Sequence, residues 1–418
     1  MFAFLAALAH AQIVIDVPGR ADLPVAVPAP AASDPAAAEF HDAVFRDLHM
    51  SGYFSLIDPA AILDPSTGVE PGTFSWDPYK LVNATVLVKT RWLPAGDPTC
   101  DASGKRVCAD LFLYYVVTGE TLVRERYKGD ARDPRAVGHA VAAKVVKAIT
   151  GRDAPFLDRL AAVSNATGNK EIYLLDLDGR NVVPVTRNGS INLSPGLSHD
   201  GRQLAWTSYR RGNADVFVKD LSSGRVRLVS SVPGVNVSPD FTRGGDLVVA
   251  RTVDTEVDLF LLDGRTGAES SRLTTGGGID VSPDVGPGDA MVAFASERSG
   301  GSQIYLRDMR TGDARRVSFA GDYNSDPAIS PIGDRIAFVT REAGGFDIMV
   351  SDMAGRNLTR LTQGQGDNED PTWSPDGQYL VFSSTRTGRS ELWLSTADGN
   401  HQVQLTKGGG WTQPAWLP

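Results

Sequence analysis

The sequence predicts an α/β N-terminal domain followed by an all-β six-bladed β-propeller, with the boundary between about Gly151 and Phe156. Three observations carry the prediction. Six prolines recur at a near-constant interval: Pro195, Pro239, Pro283, Pro327, Pro371 and Pro414 are four steps of 44 residues and one of 43 apart. Ile172, Val216, Phe260, Ile304, Ile348 and Leu392 keep the 44-residue step throughout, and a fixed period in the forties marks a repeat architecture. The two ends of the array are incomplete in complementary ways, three strands before Pro195 and one after Pro414, which together complete a sixth sheet.

The first residues, "MFAFLAALAHAQ", read as the remnant of a secretory signal peptide over 1–11. Phe2 to Ala9 is apolar, and Ala9-His10-Ala11 is a small-x-small cleavage site. The run is short and lacks basic residues in front, so the translation start is expected upstream. No later apolar run approaches the ~20 residues of a membrane span, so an exported chain without membrane insertion is expected. The net charge of −9 comes without any basic block, which argues against nucleic acid as a partner.

The N-terminal domain, 12–151, begins with "QIVIDV" and "LPVAV", both strand-like. Ala36 to Met50 reads as a helix, because Phe40, Val44, Phe45 and Leu48 share one face. "ATVLVKTRWL" and "ADLFLYYVV" form a hairpin, and "TLVRERYK" extends it. The hairpin loop holds the two cysteines, Cys100 and Cys108. In an oxidising compartment they are expected to close a disulfide, with two free thiols as the alternative. A second helix runs from Pro134 to Gly151, with Pro in its first turn and Gly past its end.

The propeller, 156–418, repeats a four-strand unit. Two residues after each anchor proline stands an apolar side chain, such as Leu197, Phe241 or Trp373. Turns such as Ser374-Pro375-Asp376-Gly377 and Arg386-Thr387-Gly388 separate short apolar runs. Antiparallel sheets made this way array radially as blades, and closing the ring with both chain ends leaves no long sheet edge exposed.

Catalytic signatures are missing from the text. There is no Gly-x-Ser-x-Gly elbow and no phosphate-cradling loop, and the six histidines are scattered. The two cysteines lack the companions a zinc site needs. No enzyme activity, cofactor or metal is therefore expected.

The best-kept repeat, Ser374 to Trp393, resembles the WD40-like propeller repeat of exported binding proteins. "AHAQIVIDV" and "RDLHMSGYFSLID" (Arg46 to Asp58) resemble the mature N-terminus and first helix of the TolB family, whose layout the whole chain follows. The resemblance implies a periplasmic, non-enzymatic, monomeric component of the Tol–Pal system, supporting outer-membrane integrity and constriction during division. It implies that the propeller binds the lipoprotein Pal. It further implies that the N-terminal segment, Gln12, Ile13, Val14, Ile15, Asp16 and Val17, contacts TolA. The Cys100–Cys108 loop and the eroded repeats "SPDFTRGGDL" and "SPDVGPGDAM" depart from the family pattern.

The anchor motif places two sets of polar residues near the propeller axis. Three residues before each anchor stand Asn192, Asn236, Asp280, Asn324, Asn368 and Trp411, and one residue before stand Ser194, Ser238, Ser282, Asp326, Asp370 and Gln413. Folding is expected to gather both into rings at the channel mouth, where a partner loop docks. Asn and Asp also fix turns through bonds to the backbone, which explains the spelling without a partner. Asp280, Asp326 and Asp370 offer a second, weaker role as a channel cation site. A propeller enzyme with a site in the channel, or a scaffold for another envelope partner, are the alternative functions.

Overall fold

The computed structural model describes residues 23–29, 34–64, 68–342 and 344–417. The expected signal remnant and the segment Gln12–Val17 lie outside the described residues. The chain divides into two compact units, Met1–Leu157 and Asp158–Pro418.

The first unit is built on a five-stranded sheet of order β2-β1-β3-β4-β5. Its strands are β1 (Leu23–Ala26), β2 (Phe54–Leu56), β3 (Val86–Leu93), β4 (Arg106–Tyr115) and β5 (Glu120–Asp130). β1 pairs in parallel with β2 and β3, while β3, β4 and β5 form an antiparallel meander. Cys100 and Cys108 are disulfide-bonded, which ties the β3–β4 connection to the start of β4.

Three helices accompany the sheet: α1 (Pro35–Met50), α2 (Asp77–Leu81) and α3 (Pro134–Thr150). Asp34 caps α1 by accepting a bond from the Ala36 amide. Gly151 ends α3 in the left-handed conformation, φ 72°, with its N–H on the Lys147 carbonyl. α1 buries Phe40, Val44 and Leu48, and Gly138 of α3 lets the two helices approach. A Cβ on Gly138 would stand 2.6 Å from the Phe40 carbonyl oxygen. The buried His139 and Asp47 side chains join these helices at 2.6 Å.

The second unit is a ring of six four-stranded antiparallel blades. Blades 1 to 5 take their strands in chain order, and their first strands are Asn192–Leu197, Asn236–Phe241, Asp280–Val285, Tyr323–Ile329 and Asn368–Trp373. Blade 6 takes its first strand from the end of the chain, Trp411–Leu417. Its other three, Arg159–Ser164, Glu171–Asp176 and Val183–Pro184, come from the start of the unit. The register pairs Trp411 with Ser164 and Trp416 with Leu160. The ring thus closes by strand pairing, as the complementary ends of the array require.

Each blade is pinned at one end by a hydroxyl that recurs every 44 residues: Thr186, Ser230, Thr274, Ser318, Thr362 and Thr406. In five blades this hydroxyl accepts a bond from a third-strand amide, such as that of Ile172, Leu259, Ile304, Ile348 or Leu392. In those blades it also donates to a side chain at the start of the third strand, namely Glu171, Asp258, Gln303, Asp347 or Glu391. Packing between blades is apolar: Phe241, Leu247 and Val249 of blade 2 meet Val216, Val218 and Val229 of blade 1.

Candidate partner-docking site on the propeller axis

All six first strands bulge at the same point. Pairing with the second strand slips across the anchor motif in every blade, for example between Val237 and Asp240 and between Glu369 and Thr372. The residue before the anchor proline adopts a left-handed backbone in each blade. Ser194, Ser238, Ser282, Asp326, Asp370 and Gln413 all have φ between 47° and 56°. Such angles cost energy for a residue with a Cβ, so six in register at the axis are a built feature.

The bulges turn these six residues toward one cavity on the axis, of about 240 Å³. Its wall also contains the six anchor prolines, Asp240, Asp284 and Trp416. Several ring members touch across blade boundaries. The Ser282 hydroxyl donates to Asp326 at 3.0 Å, the Gln413 amide donates to Asp370 at 3.0 Å, and the Ser194 amide donates to the Gln413 side chain at 2.9 Å. Asp240 and Asp284 each accept a bond from the next blade, from the Val285 and Ile329 amides, both at 2.7 Å.

Four carboxyls line the cavity, and three of them, Asp240, Asp284 and Asp370, resist ionisation. Burial pushes Asp370 up to about 7, with the Asp326 charge adding to it. Burial likewise raises Asp240 to about 6. Burial and the charge of Asp240 push Asp284 well above the usual carboxylate range. Glu369 is raised by burial and by Asp326. Among the described residues, no group of three or more His, Cys, Asp or Glu has the arrangement of a metal site.

The other expected ring does not line the cavity. Asn192, Asn236, Asp280, Asn324 and Asn368 are buried, and the four asparagines reach across to the preceding blade. The Asn192 amide donates to Glu171 at 2.9 Å, Asn324 to Gln303 at 2.9 Å and Asn368 to Asp347 at 3.3 Å. Each links the first strand of its blade to the hydroxyl and its side-chain partner on the third and fourth strands of the preceding blade. Asn236 donates to the Ala214 carbonyl and accepts from Ser230. Asp280 pairs with Arg298 at 2.7 Å. Trp411 is buried edge-on against Tyr173, with ring centroids 5.6 Å apart, and so offers no free aromatic face at the mouth. The expectation of a second polar ring at the channel mouth fails for this set because these amides are spent on buried acceptors of the preceding blade.

Asp240 and Asp284 were missed by sequence reading. They lie in the two repeats that look eroded, "SPDF" and "SPDV", one residue after the anchor. The signal was the Asp itself, where other blades carry Gly196, Ala328, Thr372 or Ala415.

Comparison with known proteins covers both units. A family profile for the TolB amino-terminal domain matches residues 11–121, and one for the TolB beta propeller domain matches residues 146–418. The chain is 38% identical over 202 residues to the Tol-Pal system protein TolB of Syntrophotalea carbinolica, covering 47% of this chain and 45% of that protein. It is 37% identical over 158 residues to the Geobacter sulfurreducens protein of the same name, covering 38% and 34%. These matched stretches span less than half of either relative. Among solved structures, TolB from Acinetobacter baumannii shares the fold with a TM-score of 0.83 at 23% identity, over 95% of this chain and 97% of that one. With both units matched, and the propeller profile alone spanning more than half of the sequence, the chain belongs to the TolB family.

Proposed function

We propose that this chain is a periplasmic, non-catalytic adaptor of a Tol–Pal system. Its propeller binds the lipoprotein Pal at the axial cavity, and its N-terminal segment, Gln12–Val17, binds TolA. The observation that carries the reading is the ring of six strained residues around one cavity, within a chain of the TolB family. A concave polar site built by all blades suits a protruding loop of a partner protein. "QIVIDV" is short, alternating and β-prone, which suits strand addition to a partner's sheet edge.

The test is calorimetry with Pal and TolA from the same organism. Ser282 already carries a Cβ at positive φ, so Ser282→Arg adds bulk and charge with no new backbone penalty. It should weaken Pal binding by about 2 kcal/mol or more while leaving melting nearly unchanged. Deleting Gln12–Val17 should abolish TolA binding and leave Pal binding intact. Normal Pal binding by Ser282→Arg would place the docking surface elsewhere.

A further inference from the structure

An antiparallel meander puts its second-to-third and fourth-to-next-first connections at the same end of every blade. These connections form one rim around the ring, and neighbouring ones touch, as where the Tyr209 amide donates to the Ile191 carbonyl. The rim is electrostatically lopsided. Five connections from blade 5 through blade 6 to blade 1, residues 385–390, 405–410, 165–170, 185–191 and 209–214, carry seven Lys and Arg and no Asp or Glu. Six of the remaining connections, residues 231–235, 254–255, 273–279, 297–302, 317–322 and 361–367, carry Asp254, Glu297, Asp322 and Asp367 against Arg298 alone. A chain of net charge −9 has thus gathered a basic arc on one sector of one rim.

The arc contains a groove of about 690 Å³ at the seam where the ring closes. Lys170 of blade 6 and Arg389 of blade 5 both line it. Gly168, Gly408, Gly410 and Asn165 line it too, a Cβ on Gly168 or Gly408 would meet nothing within 4 Å, and no acidic residue is among the lining. Lys170, Arg389, Arg187 and Lys407 are all exposed. Among the described residues, Arg211 is the one member of the seven in an ion pair, with Asp215 at 3.6 Å. Two cations from different blades beside unobstructed glycines, with no acidic residue in the lining, favour an extended segment bearing carboxylates.

We propose that this seam groove is a docking surface for an acidic peptide segment of a protein partner. Charge complementarity names the occupant, and the unobstructed Gly168 and Gly408 let a peptide backbone approach closely. The proposal rests on the reading of the propeller as a protein-docking ring and adds to it the chemistry of one sector. A basic arc confined to one sector then gives a partner an orientation, since turning it about the axis would take its carboxylates off the cations. Steering of this kind acts over a Debye length, about 8 Å at physiological ionic strength, so it must fade with salt.

The experiment uses the full-length exported protein and a fluorescein-labelled hexaglutamate peptide followed by anisotropy, with Pal titrated in parallel. Wild type should bind the peptide at about 50 mM NaCl and lose it near 500 mM. The double variant Lys170→Glu/Arg389→Glu should weaken binding on the order of tenfold or more, and Lys170→Arg/Arg389→Lys should restore it. Lys80→Glu/Lys105→Glu, an equal charge change at exposed positions of the first unit, should leave it unchanged. Failure of wild type to bind the peptide, or equal losses in both double variants, overturns the proposal. Displacement by inorganic phosphate, but not by chloride of equal ionic strength, makes the groove a small-anion site and overturns the peptide assignment. Peptide binding without Pal binding defeats the proposed function and leaves the groove standing, so the two failures are distinguishable.

Discussion

At the scale of single residues, the axial carboxyls and the buried asparagines do different work. Asp370 has its pKa pushed up to about 7 by burial and by Asp326, against an ordinary value near 4 when unfolded. The folded state therefore holds a proton that the unfolded state releases. Its contribution to stability grows as pH falls through about 7 and is complete below the unfolded value. Asp370→Asn keeps an oxygen to accept from the Gln413 amide and the Ser383 hydroxyl, and it removes the charge. At pH 8 the variant should be more stable than wild type by about 1 kcal/mol or more, and the gap should narrow as pH falls through about 7 and close only below about 4. Thermal melts of both proteins across that range are the check, and a gap that does not shrink on acidification would refute the assignment. Asn324 poses the opposite case. It is fully buried and donates to Gln303 and to the Ala320 carbonyl, at 2.9 and 2.8 Å. Asn324→Ala strands those acceptors and should cost about 1–3 kcal/mol in denaturant melts, with Pal affinity of the folded fraction unchanged.

At the scale of elements, much was legible because the repeat writes its strands at a fixed step. The first-strand bulge is spelled by Pro at the anchor, and the apolar residue two later faces the packing between blades: Phe241, Trp373 and Trp416 are all buried. The partners of the asparagines were not legible by the same route. They sit 21 residues earlier, and the acceptor side chain varies among Glu171, Gln303 and Asp347, so a search for identical letters passes over them. Nor was the split between the two polar sets. Both are polar and both recur, and only the bulge decides that one turns to the axis and the other toward the preceding blade. In the first unit, the helix predicted from Ala36 to Met50 forms from Pro35, and the close crossing with α3 depends on one glycine. Ala is the better helix former by about 1 kcal/mol. At Gly138, however, the added Cβ would meet the Phe40 carbonyl at 2.6 Å and the Ala43 Cβ at 2.8 Å. Overpacking of that kind costs about 1–3 kcal/mol, so the clash outweighs propensity and Gly138→Ala should lower the melting temperature of this unit. A rise in melting temperature would mean that the helices shift apart freely.

At the scale of the whole molecule, the propeller's stability depends on a strand that the chain supplies last. Trp411–Leu417 is the innermost strand of blade 6, and its removal leaves that blade with three strands and an open edge at the axis. It also removes Trp416, whose indole N–H donates to Asp158 at 2.8 Å, and Gln413, which links blade 5 to blade 1. Loss of a buried Trp side chain alone costs about 3–5 kcal/mol. If closure acts cooperatively, deleting Trp411–Pro418 should lower propeller stability by more than Trp416→Ala does, because the bonds of a whole strand go with the side chain. The deletion also leaves a vacancy of defined register, with Ser164 and Leu160 unpaired on their inner side. A synthetic peptide of residues 411–418 added in trans should pair there and raise the melting temperature in a concentration-dependent way. A peptide with Trp416 replaced by Ala should rescue less. Unchanged melting after the deletion would mean that the other five blades hold the ring without its closing strand. A destabilised protein that neither peptide rescues would mean that the strand must be covalently attached for blade 6 to form.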